Sequence, residues 1–158
     1  MSSSQNQASG RLTGRVLGID FGARRVGIAL SDEGRLIAQA LTTIHRARGA
    51  ERAVIDSICD LIATHEVTHI VIGWPLRLNG REGIQTQKVA RFVEALEPRV
   101  SVSISKWDER LTTTSAERAL REAGVKGAQQ RARVDQVAAA LILQSWLDAS
   151  RENMEALF

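Results

Sequence analysis

The sequence has little of several residue types, and each scarcity excludes a class of protein. A single cysteine among 158 residues rules out an intrachain disulfide, and Cys59, which sits in a helical pattern, is expected to be a buried thiol. The longest apolar run, Val137 to Leu143, is far shorter than the roughly 20 residues that a membrane-spanning helix needs. The N-terminus lacks the apolar core of a signal peptide. We therefore expect a cytoplasmic protein with no membrane partner.

Aromatic residues are also scarce, at 4% of the chain with no tyrosine. A stacking platform for single-stranded bases is therefore not evident, and Trp74 and Trp107 are the candidates for one. The charge is mildly basic, since 21 Lys and Arg against 18 Asp and Glu give a net charge of +3. This excess permits a polyanionic partner without proving one. Contact with a phosphate backbone is favoured over the reading of single bases.

The spacing of apolar residues predicts an α/β domain over residues 14–150, between tails at 1–13, expected to be disordered, and at 151–158. Short β-prone runs separated by glycine turns predict three antiparallel strands, after which helices and strands alternate. This order predicts a mixed five-stranded sheet with helices on both faces. The predicted strands are Arg15–Asp20, Val26–Ser31, Leu36–Ile44, His69–Gly73 and Val100–Ile104, and the predicted helices are Glu51–His65, one through Val89–Leu96, Thr114–Ala123 and Arg131–Ala149.

Three acidic residues stand where predicted elements begin or end. Asp20 ends the first strand, and Gly22 just after it lets another group approach closely, although an Asx turn would explain the pair as well. Glu109 follows a strand, and the alternative there is a charged residue at a solvated strand end. Asp135 lies early in the last helix, where its charge would also interact favourably with the positive end of the helix dipole. If the three converge, their oxygens are ligands that hard divalent cations choose.

Four motifs occur in order along the chain: LGIDFGARRVGIALSD, GWPLRLNGREG, DERLTT and RVDQVAAALILQSWLD. Through them the sequence resembles the YqgF/RuvX family over Arg15 to Asp148, with Trp74 as a departure where the family more often has another apolar residue. The resemblance implies a ribonuclease-H-like fold and a nuclease that matures the 5′ end of precursor 16S ribosomal RNA or resolves Holliday junctions. It also implies a catalytic acidic triad of Asp20, Glu109 and Asp135.

The implied chemistry is metal-dependent hydrolysis of a phosphodiester bond. Two Mg²⁺ or Mn²⁺ ions held by the triad would bracket the scissile phosphate, and no side-chain general base is required. The histidines, His45, His65 and His69, lack metal-ligand spacing and are expected at surface or turn positions. Guanidinium groups near the triad are expected to contact phosphates, with plain surface solvation as the alternative. These nucleic-acid-binding candidates are Arg24, Arg25, Arg77, Arg81, Arg110, Arg131 and Arg133, with Lys126 beside them.

Other functions remain open at this point. The segment GIDFGARRVGIAL also resembles the first phosphate-binding strand pair of actin-like and sugar-kinase ATPases, but those proteins need two lobes and this chain has room for one. A nucleic-acid-binding module without catalysis, in which the carboxylates serve folding, is a further alternative. Precursor ribosomal RNA and branched DNA are both possible partners. The chain is expected to be a monomer or a homodimer, since a symmetric junction would favour twofold symmetry.

Overall fold

A computed structural model describes residues 13–112, 124 and 127–156. Five strands form one mixed sheet in the order β3-β2-β1-β4-β5, with β1 at its centre. Strands β1 to β3 form an antiparallel meander, and β4 and β5 run parallel to β1. The elements are β1 Arg15–Phe21, β2 Arg25–Ser31, β3 Ala38–His45, α1 Glu51–His65, β4 Val67–Trp74, α2 Ile84–Leu96, β5 Ser103–Asp108 and α3 Ala128–Ala156, with 3-10 turns at Glu97–Arg99 and Glu109–Leu111. The predicted α/β class and mixed five-stranded sheet are confirmed.

The two faces of the sheet carry separate apolar cores because side chains alternate along each strand. Leu17 and Ile19 of β1 belong to the core on the α1 and α2 side. Val16 belongs to the other core, where Ala139 and Leu143 of α3 cover the sheet. Helices therefore lie on both faces, as the sequence predicts, and α3 covers the face that carries the candidate site.

The last helix is longer than predicted. It runs from Ala128 to Ala156, so residues 151–156 continue the helix where the sequence predicts a tail. An ion pair between Arg151 and Asp148, one turn apart, supports this extension. Despite this length, the described residues contain no helix apolar enough to cross a bilayer. The predicted helix Thr114–Ala123, Lys126, the predicted tail at residues 1–12 and residues 157–158 lie outside the described part of the chain.

Two further predictions are wrong in position. The last strand occupies Ser103–Asp108 instead of Val100–Ile104. Val100 packs against the core from the connection before the strand. The strand continues past Ile104 through residues that include the charged Lys106 and Asp108. His69, expected at a surface or turn position at the edge of a strand, lies half-buried within β4, which begins two residues before the predicted strand. Its ring nitrogens lie 2.8 Å from the hydroxyls of Ser103 and Ser105, and its burial, with a smaller contribution from Arg35, lowers its pKa.

The core on the α1 and α2 side should depend strongly on Phe92. Its side chain is fully buried, and its ring stacks on Phe21 with centroids 4.3 Å apart. Replacing Phe92 with alanine should lower the free energy of unfolding by about 3–5 kcal/mol, measured by urea denaturation, because it removes buried area and leaves a cavity. Leu111→Ala, at a residue that is 63% exposed, is the control and should change it little.

Candidate active site

Asp20 lies near the carboxyl end of the central strand, on the face that α3 covers. The residue is only 3% exposed. Its partner across the antiparallel pair is Gly27 of β2. On the other side, the register that pairs Ile19 with Ile72 brings Gly73 of β4 beside it. Asp20 is therefore flanked on both neighbouring strands by residues without side chains.

The helix α3 uses the space above Gly27. A Cβ atom at this position would overlap the backbone carbonyl oxygen of Asp135 and would lie 3.2 Å from the Cβ of that residue. A second contact fixes the same turn of the helix, since the hydroxyl of Thr43 donates to the carbonyl of Ala132 over 2.5 Å. The close approach at Gly27 thus brings Asp135 over the residue that pairs with Asp20.

Glu109 uses the equivalent space on the other side. It is the first residue of the 3-10 turn after β5, and its side chain folds back over β4. A Cβ at Gly73 would lie 2.6 Å from the Oε1 atom of Glu109 and 2.8 Å from the Cδ1 atom of Ile142. The two glycines beside Asp20 therefore each lie under one of the other two acids.

The three acids thus share one face and one end of the sheet, although they do not form a tight ligand cluster. Over the described ranges, no group of three or more His, Cys, Asp or Glu side chains is arranged to hold a metal ion. One cation already occupies the site: the Nε of Arg25 lies 2.5 Å from Oδ2 of Asp135. The donors themselves are carboxylate oxygens, the ligand type that Mg²⁺ and Mn²⁺ prefer, so the residues present fit such ions chemically.

Burial and neighbouring charge shape the electrostatics of the site. Burial, with a further contribution from the nearby charge of Asp108, raises the pKa of Glu109 above its usual value. The pKa of Asp108 is lowered instead, mainly because the Arg110 guanidinium donates hydrogen bonds to it. Arg25 in turn neutralises Asp135. Among the described residues, the ion pair with Arg25 thus offsets the charge of Asp135, and the raised pKa of Glu109 favours the protonated form of its carboxyl group.

Arg46 holds the turn that follows Asp20, a role that the sequence did not reveal. Its Nη1 donates to the carbonyl oxygens of Gly22 and Ala23 at 2.7 and 3.1 Å. Its guanidinium also lies over the ring of Phe21, 4.2 Å from the centroid. Because Arg46 follows β3 and belongs to no motif, only the strand pairing could show this contact.

The loop between β4 and α2 is held by the buried hydroxyl of Thr86, which was also missed. This hydroxyl accepts from the backbone N–H of Gly83 at 3.1 Å and donates to the carbonyl of Pro75 at 2.5 Å. The sequence carries little signal for this contact, because a capping box has Ser or Thr at the N-cap and Glu or Gln three residues later, whereas α2 has Gly83 at the N-cap and Thr86 at the later position. The loop is thus fixed at both ends.

The predicted arginines divide into two groups. Arg25 and Arg110 are engaged with carboxylates, through the pairs with Asp135 and Asp108. The other five are exposed: Arg24 in the turn after β1, Arg77 and Arg81 in the loop before α2, and Arg131 and Arg133 in the first turns of α3. All seven lie on elements that border the acids, and the exposed ones point to a positively charged rim.

Comparisons with known proteins agree with this arrangement. Residues 14–149 match the family described as RuvX, Holliday junction resolvase. A protein of Syntrophus aciditrophicus is 50% identical over 135 residues, which cover 85% of this chain and 89% of that protein. One of Myxococcus xanthus is 42% identical over 137 residues, covering 87% and 89%. Both carry the provisional name pre-16S rRNA nuclease.

Solved structures extend the likeness to the fold. RuvC of Thermus thermophilus superimposes with a TM-score of 0.57 at 16% identity, covering 87% of this chain and 96% of that one. The same protein in complex with a Holliday junction substrate gives a TM-score of 0.58 at 15% identity, with the same coverage. The predicted ribonuclease-H-like fold is thereby confirmed.

Alanine substitution at Gly27 and at Gly73, the two glycines that flank Asp20, should lower the stability of the fold by different amounts. Gly27→Ala should lower the free energy of unfolding by about 1–3 kcal/mol or more, because the added methyl meets helix backbone that cannot move alone. Gly73→Ala should lower the free energy of unfolding by less, because the added methyl group meets only the ends of the Glu109 and Ile142 side chains. Urea denaturation measures both, with Gly34→Ala as the control, since there a Cβ would approach only Asp32 Oδ2, at 3.3 Å. Equal costs at positions 27 and 73 would contradict the packing described.

The raised pKa of Glu109 should appear in the pH dependence of stability. The folded state holds this proton more tightly than the unfolded state, whose carboxyl titrates near 4.5. The free energy of unfolding should therefore fall as pH rises from about that value through the folded pKa. Glu109→Gln should remove this fall in the metal-free protein, whereas Glu94→Gln, at an exposed position on α2, should leave it. An unchanged profile in Glu109→Gln would contradict the assigned burial.

Proposed function

Because the chain belongs to the RuvX family, we propose that it is a metal-dependent endonuclease that hydrolyses phosphodiester bonds in structured nucleic acid, with precursor 16S ribosomal RNA as its substrate. The observation that carries this proposal is the arrangement around Asp20. Two strand glycines leave room for Glu109 and Asp135 on either side of it. Buried acids of like charge are costly, so their grouping favours a cationic ligand over a purely structural role.

We assign the metal ligands to Asp20, Glu109 and Asp135, with two Mg²⁺ or Mn²⁺ ions as the cofactor. Such ions would supply an activated water and would stabilise the negative charge of the leaving oxygen. The chain's own part is to hold the three carboxylates on a rigid sheet and helix. Burial raises the pKa of Glu109, so the ionised form that can bind a metal is favoured as pH rises.

Arg25 has two roles in this proposal. In the metal-free protein it neutralises Asp135 at 2.5 Å. If Asp135 held a metal ion, the Arg25 guanidinium would be available at the edge of the site to donate bidentate hydrogen bonds to a substrate phosphate. The same side chain would thus balance the charge of Asp135 and contribute to substrate binding.

The exposed arginines would hold the nucleic-acid backbone on either side of the acids. Arg24 lies in the turn after β1, Arg77 and Arg81 lie in the loop after β4, and Arg131 and Arg133 lie in the first turns of α3 before Asp135. Contacts of this type fix the position of the substrate without reading its sequence. Affinity should accordingly fall steeply with salt.

We propose precursor 16S ribosomal RNA as the first candidate substrate, because both relatives reported above, at 42–50% identity, are named for a nuclease of this RNA. Four-way DNA is the second candidate substrate, favoured by the description of the matching family. A non-catalytic binding module is the remaining alternative. We propose a monomer or homodimer in the cytoplasm for each of these functions.

The decisive experiment compares the protein with Asp20→Asn on labelled precursor-16S fragments and a synthetic four-way junction, each with Mg²⁺, Mn²⁺ or EDTA. Cleavage should require metal and should fall by more than about 100-fold in the variant, since even outer groups around a metal cost up to that factor. Asp60→Asn, at an exposed position on α1, is the control and should cleave normally. Retained binding with no cleavage under any metal would favour the non-catalytic module.

A further inference from the structure

Leu78 is the most exposed large apolar side chain among the residues that the structure describes. It is 96% exposed, compared with 67% for Ile84 and 63% for Leu111. It stands in the loop that joins β4 to α2, between Arg77 and Asn79. A single exposed apolar side chain is common on protein surfaces and by itself assigns no role, so the case for Leu78 depends on what holds it in place and what surrounds it.

The backbone around Leu78 is rigidly held. The N–H of Gly80 donates to the carbonyl of Arg77 at 2.8 Å, which closes a β-turn with Leu78 at its first central position. The N–H of Arg77 donates to the carbonyl of Arg81 at 2.9 Å, and the Asn79 side chain accepts from the N–H of Arg81 at 3.0 Å. The turn therefore presents Leu78 at its tip without the entropic cost that a flexible loop would carry.

The tip is also tied to the candidate active site. Nη1 of Arg110 lies 3.5 Å from the carbonyl oxygen of Leu78, and a Cβ at Gly80 would lie 3.2 Å from the same nitrogen. Arg110 in turn is clamped by two hydrogen bonds from its Nε, both of 3.1 Å, to the carboxylate of Asp108. It directly follows Glu109, so the turn and Glu109 are positioned by one connected set of contacts.

The surroundings of Leu78 favour nucleic acid as its partner. Three guanidinium groups, those of Arg77, Arg81 and Arg110, lie on or against this turn, and Glu82 is its one acidic neighbour within the loop. A protein partner would be expected to bury a broader apolar surface, whereas a single apolar side chain among cations suits a polyanion with an exposed apolar face. The exposed face of a base pair at the end of a stem has that chemistry.

We propose that Leu78 is a wedge that packs against, and partly unstacks, the last base pair where a nucleic-acid stem opens next to the scissile phosphate. Apolar side chains that insert between bases in this way are known as a means of recognising deformable steps. This inference rests on the proposed function and deepens it. The selected substrate would be an end or branch of a duplex, in RNA or in DNA, and not continuous duplex.

The test uses forked and continuous duplexes that carry 2-aminopurine, a fluorescent base whose emission rises on unstacking, at the base pair next to the fork. RNA and DNA versions are compared in Ca²⁺ for binding and in Mg²⁺ for cleavage. The proteins are wild type, Leu78→Ala, Leu78→Phe and the control Ile37→Ala. Ile37 is an exposed apolar residue, 59% accessible, before β3 at the opposite end of the sheet.

Wild type, Leu78→Phe and Ile37→Ala should raise the fluorescence of forked substrates, and Leu78→Ala should not. Leu78→Ala should also lose about 5- to 10-fold of the preference in kcat/KM for forked over continuous substrate, in line with the loss of one apolar wedge contact with a base, with unchanged thermal unfolding. Which nucleic acid gives the signal distinguishes the RNA and DNA sources.

Three outcomes would overturn the wedge: no fluorescence rise with wild type, equal losses of Leu78→Ala on forked and continuous duplex, or a change of oligomeric state in Leu78→Ala by sedimentation, which would mark a protein contact. A Leu78-dependent fluorescence rise with no cleavage by wild type would support the wedge and would reject the proposed nuclease activity instead. Failure of the two proposals is therefore distinguishable.

Discussion

The close approach of α3 to the sheet at Gly27 is the constraint on which the candidate site depends. A side chain at this position would overlap the backbone of Asp135, so the helix can cross β2 at this depth only because β2 has no side chain there. The same crossing buries Ala139 and Leu143 against the sheet. The position of Asp135 beside Asp20 is thus a consequence of core packing, since interiors this dense allow few alternative placements.

Charge balance is the second constraint. Three acids on one end of a sheet repel each other, and burial makes the repulsion stronger. Arg25 forms an ion pair with Asp135, and the pKa of Glu109 is raised, which favours its uncharged form. Asp108, one residue before Glu109, is instead exposed enough to be held ionised by Arg110. In the proposed function, bound metal ions would take over the neutralisation of these carboxylates.

The loop between β4 and α2 links the candidate site to the proposed determinant of substrate choice. Its base is held by the Thr86 hydroxyl, and its tip rests against Arg110. Such loops on rigid scaffolds are where related folds differ in function. The likeness to RuvC at 15–16% identity concerns the fold, so the substrate of this chain must be argued from its own loop and arginines.

The sequence by itself determined the α/β class, the mixed sheet and the family, because period-two and helical patterns and four ordered motifs are local properties of the chain. It indicated Asp20, Glu109 and Asp135 as candidates but not how they meet. The bounds of β5 and the place of His69 within β4 depended on pairing between strands that lie far apart in the sequence. Only the tertiary structure decided that Gly27 and Gly73 make room for the acids, that Arg25 pairs with Asp135 and that Arg46 holds the turn. Each of these contacts joins residues from separate elements, and packing, which no local pattern encodes, sets their distances.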